Sequence, residues 1–136
     1  MIMKSINHWQ KCDNGYLLHG DAADMLVIFL AEDLFRIRVA FDSGFPEESY
    51  ALVTTCWEDR LDGLFAGERT RIAPCMPEFS ETPERLVFRT ALLRVEIEKS
   101  PAAVSVFDRD GNLIYADLRG RAFEKDHLGR VLHYSR

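Results

Sequence analysis

The feature that most constrains the fold is a strict alternation of apolar and charged residues at 93–98, with the sequence LRVEIE. Successive side chains of a β-strand point to opposite faces of its sheet, so this period of two predicts a strand with one face in a core. Apolar and β-branched runs at 86–88, 104–107 and 113–115 predict three neighbouring strands. Residues 84–116 therefore predict a four-stranded antiparallel meander.

The remaining hairpins are predicted by the same reasoning. Asn14-Gly15, between residues 6–10 and 16–19, is the pair most typical of a type I′ turn, in which both central residues need positive φ. Residues 25–30 read as a strand buried on both faces, and 34–41 alternate as its hairpin partner. Asp108 to Gly111 predict a tight turn with positive φ at the glycine.

The rest of the chain completes the predicted fold. A short strand is expected at 50–53, an irregular crossover over 54–83, and a final hairpin from 121–124 and 130–134. The sequence therefore predicts an all-β, antiparallel β-sandwich. At 136 residues, the chain is long enough for one domain, residues 1–136, and too short for two.

Composition narrows the class of partner and the compartment. The net charge is −5, which argues against a nucleic-acid partner, because nucleic-acid binding depends on Lys and Arg side chains that neutralise phosphates. Three cysteines without a C-x-x-C motif indicate neither a disulfide framework nor a zinc ribbon, and favour a reducing compartment. The longest apolar run, 25–31, is far below the roughly 20 residues of a membrane helix. We expect a cytoplasmic chain with no membrane partner.

Several segments in order carry a resemblance to a known family. They are FRIRV at 35–39, ESYAL at 48–52, LRVEIEKSPAAVSVFDRDGNLIYAD at 93–117, GRAF at 120–123 and VLH at 131–133. Together they resemble the N-terminal β-sandwich domain of glycoside hydrolase family 31, the α-glucosidase and α-xylosidase family. No single segment is diagnostic, but their order and spacing extend over residues 25–136.

The resemblance implies a galactose mutarotase-like sandwich, or a fragment of that supersandwich. In this family, the sandwich precedes a (β/α)8 barrel that holds the aspartate nucleophile and the acid/base carboxylate. Such a barrel needs about 250 residues, so the family's catalytic residues have no positions in this chain. We therefore expect no catalytic residue, no cofactor and no activity in this chain alone, which would be an N-terminal fragment of a larger glycosidase.

The partner implied by the resemblance is the enzyme's own C-terminal (β/α)8 catalytic domain. The domain would act as a scaffold for that barrel and shape the mouth of its active site, so that it meets carbohydrate only indirectly. An incomplete sandwich leaves unpaired strand edges and uncovered apolar surface, from which we also expect self-association.

Paired carboxylates are the groups that a retaining glycosidase would need. The sequence offers three close pairs, which are Asp108 with Asp110, Glu96 with Glu98, and Glu47 with Glu48. The first pair lies in a predicted turn, where Asp caps its own backbone, and the second lies on the outer, solvated face of a strand. Structural roles are therefore favoured for both.

A metal site is not predicted. His8, Cys12 and His19 could meet across the first hairpin, but their spacing matches no zinc signature. The DRDGN sequence at 108–112 resembles the start of a calcium loop, yet positions six and twelve hold Leu113 and Arg119 instead of Gly and Glu.

Aromatic side chains leave a second function open. Trp9, Tyr16, Trp57 and Phe65 could stack on sugar rings, although aromatic residues of a sandwich mostly form its core. Trp57, in the predicted crossover, is the candidate substrate-binding residue. The alternative is therefore a free-standing carbohydrate-binding or protein-interaction module, with a small β-barrel ligand carrier as a third possibility.

Overall fold

The computed structural model describes residues 1–12, 15–42, 44–45 and 75–136, and these residues are all β, as predicted. In this part of the chain, no helix is long and apolar enough to cross a membrane. The first four strands are β1 (Ile6–Lys11), β2 (Gly15–Gly20), β3 (Asp24–Ala31) and β4 (Leu34–Ala40). The others are β5 (Glu78–Glu81), β6 (Arg85–Arg89), β7 (Leu93–Lys99), β8 (Ala102–Asp108), β9 (Leu113–Ala116), β10 (Phe123–Lys125) and β11 (Val131–His133).

The strands form two large antiparallel sheets and one small one. The first sheet has the order β1-β2-β3-β4 and the second the order β5-β6-β7-β8-β9, so both are simple meanders. Strands β10 and β11 form a separate two-stranded sheet. The predicted meander at 84–116 is confirmed as β6 to β9, and the hairpins β1-β2, β3-β4 and β10-β11 are confirmed as well.

The core lies between the inner faces of the two large sheets. The ring of Phe88 in β6 lies 5.0 Å from that of Tyr16 in β2 and 5.8 Å from that of Phe29 in β3, between ring centroids. Val95 and Ile97 of β7 are fully buried, as their alternation predicts. The fold is therefore the predicted antiparallel β-sandwich.

The region predicted as an irregular crossover contains a strand, and that prediction is wrong at its C-terminal end. Strand β5 lies within 54–83 and pairs with β6, with Phe79 opposite Phe88. Only one apolar residue interrupts its charged and polar neighbours, so the run is too short to show a period of two. Residues 46–74, which include the predicted strand at 50–53, lie outside the described residues.

Gly15 is needed for close packing against β3 and not for the positive φ of the predicted type I′ turn. The Cys12 N–H donates to the Gly15 carbonyl oxygen at 2.8 Å, and Lys11 pairs with Tyr16. Gly15 is thus the first residue of β2, and its φ is not positive. A Cβ at this position would lie 2.0 Å from the Val27 carbonyl oxygen in β3. Close backbone approach requires this glycine, whereas Gly111 has the predicted positive φ, at +88°.

We expect Gly15→Ala to lower the free energy of unfolding by about 3 kcal/mol or more, because the added methyl group collides with backbone. Gly129→Ala is the matched control, since Gly129 has φ +80° and open space around it. The strain of an alanine at this positive φ should lower the free energy of unfolding by about 1–2 kcal/mol. Urea denaturation measures both values, and equal losses would contradict the close approach.

Candidate functional site

An open cavity of about 300 Å³ lies beside β4, where the first sheet faces β8 of the second. We call it the lateral cavity. Its apolar wall comes from the inward face of β4, which the alternation at 34–41 predicted, and from β8, β10 and β11. The residues that line it are Phe35, Ile37, Val39, Val104, Val106, Tyr115, Asp117, Phe123, Val131 and His133.

One carboxylate is buried at the polar end of this cavity. Asp117 is only 1% exposed, and it is the one buried polar or charged residue in the described ranges. Its Oδ2 accepts a hydrogen bond from the Val104 N–H at 2.8 Å, and its Oδ1 accepts from the Tyr115 hydroxyl at 2.5 Å. His133 Nε2 lies 2.7 Å from the same Oδ1. Three partners therefore compensate for the desolvation of this charge.

The partners of Asp117 also contact one another, which limits the orientation of each side chain. His133 Nε2 also lies 2.8 Å from the Tyr115 oxygen, so it faces two acceptors and must carry a hydrogen. The His133 ring stacks on Phe123 with centroids 4.8 Å apart. Burial, followed by the hydrogen bond to Asp117 and its charge, raises the pKa of Tyr115. The group ties β11 to the residues around β9.

The opposite lateral edge of the sandwich is closed. Trp9 of β1 contacts Phe79 of β5 edge to face, with ring centroids 4.6 Å apart. Its indole N–H donates to Glu81 Oε2 at 3.0 Å, and Lys99 Nζ lies 2.6 Å from Glu81 Oε1. These two hydrogen bonds, that of Lys99 first, lower the pKa of Glu81. Trp9 therefore closes the core along this edge.

The aromatic residues proposed for sugar stacking do not form a platform in the described ranges. Tyr16 is buried, and Trp9 is half-buried against Phe79. No aromatic side chain is among the exposed large apolar residues of those ranges. Trp57 and Phe65 lie outside the described residues, so the sugar-stacking role of Trp57 stays a prediction.

The described carboxylate pairs have structural partners. Asp108 Oδ1 accepts from the N–H groups of Asp110 and Asn112 at 2.9 and 2.8 Å, and the hydrogen bonds of Asn112 lower the pKa of Asp108. Asp108 thus caps its turn, as expected.

The second pair lies in an ion-pair ladder on the outer face of the second sheet. Glu96 lies 2.7 Å from Arg85 and 3.1 Å from Arg94, and Glu98 lies 2.9 Å from Arg119. The Glu96 side chain is 16% exposed, so this face is less solvated than predicted. Glu47 and Glu48 lie outside the described residues.

The histidines of the first hairpin meet without forming a metal site. The rings of His8 and His19 stack with centroids 5.6 Å apart, and His19 Nδ1 lies 3.0 Å from Asp24 Oδ1. Cys12 is not part of this contact. The described residues contain no group of three or more His, Cys, Asp or Glu side chains arranged to hold a metal ion.

Sequence reasoning missed the cluster of Tyr115, Asp117 and His133. Asp117 and His133 are 16 residues apart, and their contact depends on the pairing of Ser135 with Asp117 in an isolated antiparallel bridge. The only local signal was an Asp placed directly after an apolar strand, which reads equally well as a loop residue.

The fold of this chain is similar to parts of solved glycoside hydrolases. No family model matches the chain, and no curated protein matches it in sequence. A GH31 dextranase from Flavobacterium johnsoniae, solved with glucose and with isomaltotriose, superposes with a TM-score of 0.71 at 17% identity. The cycloalternan-forming enzyme from Listeria monocytogenes, solved with a pentasaccharide substrate, superposes with a TM-score of 0.60 at 14% identity.

These matches take in nearly all of this chain and little of the other proteins. The dextranase match covers 93% of this chain and 14% of that one, and the Listeria match covers 90% and 10%. The chain thus has the fold of a small part of these longer enzymes. The resemblance to a family 31 sandwich is confirmed at the level of the fold.

Loss of the hydroxyl proton of Tyr115 should destabilise the fold at high pH. The pKa of Tyr115 is raised above its ordinary value of 10.0, so the stabilisation is complete below about pH 10 and is lost as pH rises further. Tyr115→Phe should cost about 1–2 kcal/mol at pH 8, from lost hydrogen bonds, and should then lose less stability than the wild type between about pH 9 and 11.

Thermal unfolding followed by circular dichroism across this range measures the difference. Tyr134→Phe is the matched control, because its hydroxyl accepts only a long hydrogen bond from Arg121, at 3.4 Å. The control should follow the wild-type pH dependence. A Tyr115→Phe variant with the wild-type slope would show that Asp117 does not hold the tyrosine proton.

Proposed function

We propose that this chain is a non-catalytic N-terminal domain of a family 31 glycoside hydrolase, acting as a scaffold for the catalytic domain and shaping its active-site mouth. The observation that carries the proposal is the match of 93% of this chain to 14% of a GH31 dextranase chain. The ordered segments at 35–39, 93–117 and 131–133, which resemble the same family, support it independently of the superposition.

The chemistry of the described residues agrees with a role without catalysis. Retaining glycosidases place two carboxyl groups about 5–5.5 Å apart, one protonated and one ionised, at an open site. The described carboxylates that lie close in sequence are instead turn caps or ion-paired with arginine, as Asp108 and Glu96 show. In this proposal, the reaction of the whole enzyme is hydrolysis of terminal α-glycosidic bonds with retention, carried out by the (β/α)8 domain.

We expect the purified chain not to hydrolyse an aryl α-glucoside, because the nucleophile and the acid/base group belong to the other domain. The full-length gene product should hydrolyse this substrate or another α-glucoside. Release of the aryl alcohol, followed by absorbance, measures both. Turnover by the chain alone, above a control lacking enzyme, would overturn the proposal.

The DNA that follows the codon for Arg136 gives an independent test. An open frame of several hundred codons with alternating strand and helix patterns would agree with the proposal. A stop codon at that point would contradict it and favour the interaction module. Maltose titration followed by tryptophan fluorescence would then test that module, with Trp57→Ala expected to abolish binding.

A further inference from the structure

We propose that the lateral cavity is a binding site for a small apolar ring that carries one neutral hydrogen-bond donor, a molecule of the indole or phenol type. The ring lies against the apolar wall of the cavity. The donor is directed at the polar end, where Tyr115, Asp117 and His133 meet. This site is additional to the scaffold role proposed above and does not depend on it.

The wall of the cavity suits an apolar ligand of ring size. Seven of the ten lining residues are aliphatic or phenylalanine, and they come from both large sheets and from the small sheet. The volume of about 300 Å³ lies at the lower end of the range of ligand pockets. Apolar cavities bind small apolar molecules because the ring gains dispersion contacts with the wall that it does not gain with water. An oligosaccharide, in contrast, is polar on all sides and does not suit this wall.

The polar side chains of the cavity can accept a hydrogen bond but have no free hydrogen to donate. The hydroxyl hydrogen of Tyr115 is directed at Asp117. The Nε2 hydrogen of His133 faces the oxygens of Asp117 and Tyr115, at 2.7 and 2.8 Å. His133 Nδ1 carries no hydrogen in the neutral ring, and no described residue donates to it. The ligand must therefore supply the donor.

Charge excludes anionic ligands. Asp117 is a buried carboxylate, and none of the ten lining residues is Lys or Arg. Repulsion from a buried charge is only weakly screened, so a carboxylate or phosphate group on the ligand is disfavoured. A cationic amine would lose its hydration on entering an apolar cavity, which costs more than the transfer of a neutral hydroxyl or N–H group. A neutral donor therefore fits best.

The closed edge of the same sandwich contains an equivalent contact made by the chain itself. The indole ring of Trp9 packs edge to face on Phe79, and its N–H donates to Glu81 Oε2 at 3.0 Å. One apolar ring with one N–H donor thus occupies the edge between β1 and β5. The lateral cavity offers the same combination, with Phe35 and Phe123 in its wall and acceptor atoms at its end. Indole is therefore the probe that the structure indicates.

Titration of the isoleucine- and valine-labelled chain with indole, followed by methyl NMR, tests the site. We expect the methyl signals of Ile37, Val104 and Val131 to shift, with a dissociation constant on the order of 1 mM or tighter. The matched ligand is N-methylindole, which has the same ring without the N–H and should bind about tenfold more weakly. Benzoate, an apolar ring with an anionic group, should not shift these signals. The titrations are carried out at about pH 8, where an ordinary imidazole is neutral.

Two variants locate the bound ring. Val106→Phe and Val131→Phe each add a ring to the cavity wall, and both should abolish the shifts caused by indole because the two rings compete for the same space. Val131 is 52% exposed, so the fold should tolerate the second variant even where the buried position 106 does not accept a larger side chain. Leu128→Phe is the matched control, since Leu128 is exposed and does not line the cavity, and it should bind indole as the wild type does.

The site is rejected if indole causes no shifts, if the shifts lie away from the cavity, or if indole still binds to both cavity variants. Equal affinity for indole and N-methylindole would overturn the assigned ligand class. An affinity that falls as the protein concentration rises would also contradict the site, because a second copy of the chain would then occupy the cavity. None of these titrations involves the glycosidase reaction, so their failure leaves the proposed function unchanged.

Discussion

The structure depends on aromatic contact between its two large sheets, centred on Phe88. The ring of Phe88 is fully buried and lies 5.0 to 5.8 Å from the rings of Tyr16, Phe29 and Phe79. The four rings, including that of Phe88, belong to strands β2 and β3 of the first sheet and β5 and β6 of the second. One cluster therefore packs the two sheets together. Each sheet is a meander of short connections, so contacts between the sheets, of which this cluster is one, supply the non-local part of the fold.

The two lateral edges of the sandwich differ, and the difference follows from which strands lie there. Strands β1 and β5 meet through Trp9, Phe79 and Glu81, so the core ends in an aromatic pair and a hydrogen-bonded carboxylate. Beside β4 and β8 the core instead opens into the lateral cavity. A buried carboxylate stands at this opening, although a charge there requires full hydrogen bonding. Asp117 meets that requirement with three partners, which order β11 beside the lateral cavity.

The sequence predicted the parts of the fold that depend on local pattern. Strict alternation identified β7 and the inward face of β4, and the DRDG turn was confirmed down to the positive φ of Gly111. The parts that failed depend on neighbours in space. Strand β5 exists because it pairs with β6, and Gly15 is needed because the Val27 carbonyl group approaches it. The approach of Val27 cannot be read from the residues around Gly15. Strand β6 was itself predicted, and β5 was missed because a run with one apolar residue shows no period of two.

The site was less predictable than the fold for the same reason. Tyr115, Asp117 and His133 meet only because the segment after β11 pairs with Asp117, and no spacing rule signals that contact. The residues that did stand out by type, such as Asp108 and Glu96, proved to be satisfied by their own turn or by neighbouring arginines.

A fold shared with a sugar-acting enzyme does not by itself give this chain a sugar-binding site, since function resides in particular side chains. The described side chains form a sandwich with one lateral edge closed by Trp9 and the other open at the lateral cavity. The open edge combines an apolar cavity, the exposed side chain of Val131 and the buried carboxylate of Asp117. The physical feature that distinguishes the described part of this chain is therefore its open edge, where the core is bounded by a hydrogen-bonded carboxylate and not by an aromatic pair.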